Sequence, residues 1–185
     1  MALTGPARIE IGTLRAAMLA SIDAAFTARA QTLARCAAFD PADLADSDGN
    51  PTLDTPSLLL EIGPSSELEA PFRPLGAQAC YHGDLIEWRA YHIASRRPRR
   101  SDGDSDSDSD SDGLTKPPDL ELHVMEMSMI TRGLLHDASL NRWGSDAVDH
   151  PEPTSITSEP VDLKLPGYTG RVLRWQQAAL LAERY

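Results

Sequence analysis

The chain has 185 residues, of which 41% are hydrophobic, 24% charged and only 5% aromatic, which suffices for one core built on Leu, Ile, Val, Met and Ala. A net charge of -11 argues against a general nucleic-acid binder, because phosphate affinity comes from Lys and Arg. No apolar run approaches the ~18 residues of a membrane span and no secretory pattern opens the chain. Cys36 and Cys80 match no paired-ligand spacing, so the sequence reads as a soluble protein made in a cytoplasm with reduced cysteines.

Ile11, Leu14, Met18, Ile22, Phe26 and Leu33 recur at helical steps among many alanines; this predicts a long N-terminal helix starting near Pro6 and stopping at Asp40-Pro41. Residues 41–56 hold Asp, Asn, Gly and three prolines and read as a loop. Ser57 to Ile62 (SLLLEI) is a short apolar run, a buried strand. Residues 63–84, rich in Pro and Gly, read as surface chain. Residues 85–97 alternate, with Ile86, Trp88 and Ala90 on one face and Glu87 and Arg89 on the other, as a strand does.

Residues 119–130 read as a further strand: Leu120, Leu122 and Val124 alternate with Glu121 and His123, and the apolar face then switches to Met125, Met127 and Met129. Between these two strands lies SDGDSDSDSDSDG. Its like charges have nothing apolar to bury, so residues 98–118 are expected to form a disordered acidic hairpin insertion. A short helix is expected over 131–143, carrying Leu134, Leu135 and Ala138 and closed by Gly144, with Ile156 in a short edge strand. Gly170 to Ala179 reads as the last strand. The expected fold is a single α+β domain over 1–185: an antiparallel sheet of about four strands packed against a long N-terminal helix and one short helix.

Residue types that carry chemistry are scattered. Asp108, Asp110 and Asp112 before Gly113, with Asp119 at the twelfth position, match half of an EF-hand calcium loop. An Asp-Ser repeat ending in Gly makes that match automatically, and Pro117 and Pro118 stiffen the approach. His92 and His123 fall on adjacent predicted strands, but two histidines are not a metal site. Glu87, Glu121 and Glu126 are ordinary residues of exposed strand faces, so no catalytic residue, metal or cofactor is assigned. The interface candidates are the basic patch Arg96, Arg97, Arg99 and Arg100 at the base of the acidic run, and Trp143, a large ring beside Gly144.

In order, the segments TPSLLLEIG (Thr55–Gly63), LIEWRAYHI (Leu85–Ile93), LELHVMEMSMITRG (Leu120–Gly133), NRWG (Asn141–Gly144) and GRVLRWQQAALL (Gly170–Leu181), after an Ala-rich helix, resemble the tail-terminator proteins of long-tailed bacteriophages. The resemblance spans nearly the whole chain, and the Asp-Ser run departs from it. It implies a virion structural protein without an active site: a homohexameric ring at the head-proximal end of the tail, assembled in the host cytoplasm. Such a ring caps the tube, stops its polymerisation and joins it to the head. The implied partners are further copies of itself, the tail tube protein and the head-tail connector, with DNA passing through the lumen unbound and no membrane involved. The alternatives are a head-tail neck or connector-completion protein and, in a different class, a small calcium-binding module using the Asp-Ser loop.

Overall fold

The computed structural model describes residues 8–44, 52–74, 80–95 and 119–182. They form an α+β fold of two helices and a mixed six-stranded sheet. The long N-terminal helix is not formed: helix α1 (Ile11–Thr27) buries Ile11, Leu14, Met18, Ile22 and Phe26, five of the six positions of the expected stripe, and Leu33 lies beyond its end. It ends thirteen residues before the expected stop at Asp40-Pro41. The cause is a left-handed closing turn made without glycine. Ala30 takes φ +56°, the Gln31 amide donates to the Phe26 carbonyl at 3.1 Å, and the Ala30 amide donates to that of Thr27 at 3.0 Å. The chain then becomes extended, and Arg35–Ala38 forms β1, an edge strand parallel to β2 (Ser57–Glu67).

β2 pairs antiparallel with β3 (Asp84–Ser95), and β3 pairs antiparallel with β6 (Tyr168–Ala179). Two short strands, β4 (Val148–Pro151) and β5 (Thr157–Val161), both line the far side of β6. The sheet is therefore mixed rather than wholly antiparallel, with order β1-β2-β3-β6-β4 and β5 beside β6. The surface chain expected from residue 63 onward is in part the second half of β2, bent by a register shift between Ile62 and Ser65.

The largest correction lies between β3 and β4. The strand expected at 119–130 and the short helix at 131–143 are one helix, α2 (Leu120–His136), followed by turns. The acidic run therefore joins a strand to a helix instead of tipping a hairpin; residues 96–118 themselves lie outside the described residues. Leu120, Val124, Met127, Ile130 and Leu134 are the buried stripe of α2. Both helices cover one face of the sheet, and Trp88 and Trp175, an in-register cross-strand pair, sit stacked beneath them with ring centroids 6.5 Å apart. On the opposite face a smaller cluster of Leu53, Leu59 and Ile93 is covered by Phe39, Leu44, Leu163 and Tyr168.

Candidate functional site

The sheet face turned away from the helices carries charge at its centre. β3 alternation points Glu87, Arg89 and Tyr91 there, as expected for the first two. Arg89 Nε donates to Glu87 Oε1 at 2.6 Å, and Tyr91 donates to Glu61 Oε2 at 2.8 Å. Arg89 also pairs with Glu61 at 3.4 Å, and on the next strand Arg174 pairs with Glu159 at 2.9 Å. The Glu87 hydrogen bond raises the Arg89 pKa further, and burial pushes the Tyr91 phenol up. Arg89 thus bridges the two glutamates, one on β2 and one on its own strand. A shallow depression of about 230 Å³ beside them is lined by Glu87, Ser155, Thr157, Arg174 and Gln176, and its one guanidinium is already paired. Glu121 and Glu126 are on α2, across the sheet from Glu87, so the three carboxylates do not meet.

The histidines also stay apart. His92 is fully buried on the helix side of β3, with Nε2 2.9 Å from the Thr131 hydroxyl. Burial drives its pKa down to about 3. His123 lies two turns earlier than Thr131 on α2, half-buried. Among the described residues no group of three His, Cys, Asp or Glu side chains is placed to hold a metal. Burial pushes the Cys36 thiol up to about 12, which disfavours the thiolate a nucleophile needs.

Arg96, Arg97, Arg99, Arg100, Asp108, Asp110 and Asp112 lie outside the described residues. Asp119 is the N-cap of α2, its Oδ1 accepting the Leu122 amide at 3.2 Å. A helix does follow the Asp-Ser run, which the sequence reading did not expect; the element before it is the strand β3, where an EF-hand has a helix.

Trp143 is not a surface anchor, being 5% exposed within the chain's own core. Its Nε1 donates to Gln177 Oε1 at 2.9 Å. The Gln177 amide in turn donates to the carbonyls of Asn141 and Asp149 at 2.7 and 2.6 Å. Asn141 Nδ2 donates to the Leu135 carbonyl at 2.9 Å, and its Oδ1 lies 2.7 Å from His150 Nδ1. The NRWG segment is therefore a buried polar clamp fastening the end of α2 to β6 and β4. Sequence reasoning missed it because Gln177 reads as a polar residue in a strand, and nothing local shows that it faces a tryptophan.

The feature that best fits an interface is on α2. Leu122, Met125 and Met129 are exposed on the helix's outward side. A strand reading hid them, because it counts every second residue as one face; helical steps of three and four separate them from the buried stripe.

No family model and no curated protein matches this chain.

Proposed function

We propose that this chain is a tail terminator of a long-tailed bacteriophage: a subunit of a homo-oligomeric ring that caps the tail tube, halts its growth and meets the head connector. The observation that carries the reading is where the resembling segments fall. TPSLLLEIG runs into β2, LIEWRAYHI is β3, GRVLRWQQAALL is most of β6, and LELHVMEMSMITRG is most of α2. β2, β3 and β6 are consecutive in the sheet, α2 packs on β3 and β6, and NRWG clamps α2 to β6. The resemblance thus concerns the centre of the fold rather than scattered surface segments. A terminator acts by shape, through one face on the last tube ring and another on the connector. The net charge of -11 suits a lumen along which DNA phosphates slide without sticking.

The test is the mass of the purified full chain by light scattering, followed by negative-stain imaging. Closed rings of about six subunits, formed alone or on added tail tubes, are the expected result. A chain that forms no ring under either condition would sink this reading.

A further inference from the structure

On α2, Leu122, Met125 and Met129 are 47%, 40% and 64% exposed. They follow one another at steps of three and four residues, so they make one apolar stripe on a helix whose other stripe already fills the core. Among the described residues the only other large apolar side chain left in solvent is Leu140. Three of four on one helix face mark a contact surface rather than chance scatter, and methionine adapts its shape to a partner.

The charges beside the stripe indicate what covers it. Glu121 and Arg132 are exposed on the same flank, one at each end. Arg132 reaches only the His136 ring, at 3.4 Å, and among the described residues Glu121 has no ion pair. Two copies of α2 laid antiparallel, with Met125 of each against Met129 of the other, place Glu121 of each beside Arg132 of the other. The two-fold axis makes that pair twice. Parallel copies would instead bring opposite flanks together, with Glu121 of each turned towards the exposed Glu126 of the other, so the Glu121–Arg132 pairs favour the antiparallel direction, in which the two Glu126 carboxylates lie on the opposite flank. Beside α2, the outward side of α1 carries Gly12, Ala16, Ala20 and Ala24, all exposed. The space beside Gly12 is open to at least 4 Å, and the other exposed side chains of α1, Thr13, Asp23 and Thr27, are short.

We propose that the helix layer pairs with a second copy of this chain, α2 against α2 and antiparallel, through Leu122, Met125 and Met129 with reciprocal Glu121–Arg132 pairs. This contact goes beyond the ring reading, since a head-to-tail ring joins two different surfaces of the subunit.

Sedimentation equilibrium on the full chain over a wide concentration range tests it. The wild-type protein is expected to show a reversible two-chain species. Met125→Glu with Met129→Glu should weaken pairing at least about tenfold, because it buries unpartnered carboxylates. Glu121→Arg and Arg132→Glu should each weaken it, and the two together should restore it. These side chains are exposed, so unchanged circular dichroism separates lost pairing from lost fold. A wild-type chain that stays single at every concentration overturns the proposal, as does pairing indifferent to the methionine substitutions or a double charge exchange that fails to rescue. Rings that persist in the methionine variant keep the terminator reading, and paired chains that never close into rings keep this one.

Discussion

His92 is held uncharged between the sheet and α2, with only the Thr131 hydroxyl close to its Nε2. The Thr131 hydroxyl also lies 3.4 Å from the Met127 carbonyl, which only accepts. With a folded pKa near 3 against an ordinary value of 6.5, the unfolded chain binds the extra proton first as pH falls. Stability is therefore intact above about pH 6.5 and is lost on acidification through the window down to about pH 3, at about 1.4 kcal/mol per pH unit. His92→Gln should remove that component. Urea unfolding at pH 7 and pH 5 should show the wild type losing about 2 kcal/mol more than the variant; equal losses would refute the assignment. Trp143 gives a second residue-scale expectation. Trp143→Phe leaves the Gln177 oxygen without its donor and should cost about 1–3 kcal/mol in the same assay, with the mass of the protein unchanged. A surface anchor would do the reverse, altering association and sparing stability.

α2 starts at Asp119, whose carboxylate takes up one of the free amides of the first turn. Asp119→Ala should lower stability by about 1 kcal/mol, a fall in melting temperature of roughly 2–4 °C for a chain of this size, whereas Asp119→Asn should lose much less. A strand at this position would predict no difference between the two variants. That helix is also where sequence reading failed, for a physical reason. From Leu120 to Met129 apolar and polar residues alternate closely enough to imitate a half-buried strand, and the helical stripe shows only when Ile130, Leu134 and Leu135 are read with it. Cutting the segment at residue 131 hid it. β2, β3 and β6 were legible because their apolar runs are short and bounded by turn residues, and the Trp88 face was placed correctly. β1 was lost inside an alanine-rich stretch, since Ala30 closes α1 in a conformation that usually signals glycine. The exposed stripe on α2 could not be seen until α2 was known to be a helix.

For the whole molecule, the question is whether the aspartate run belongs to the fold, to a cation or to neither. Asp102, Asp104, Asp106, Asp108, Asp110 and Asp112 supply more than half of the net charge, yet the sheet, both helices and the NRWG clamp are built from other segments. Removing residues 101–113 should therefore shift the melting temperature by no more than about 2 °C, under 1 kcal/mol. A calcium site would behave differently. At 1 mM calcium a site with a dissociation constant near 10 μM stabilises by about 2.7 kcal/mol, which is roughly 5–10 °C here. With a strand in place of the entering helix and Asp119 engaged in capping α2, the wild type should respond to calcium no more than to magnesium at equal ionic strength. The melting curves of both proteins in both salts decide the matter. Four curves close together leave the aspartates a solvated charge beside an intact fold, as the terminator reading requires. A calcium-specific rise in the wild type, abolished by the deletion, would instead make this chain a cation-responsive module and displace the terminator as its leading function.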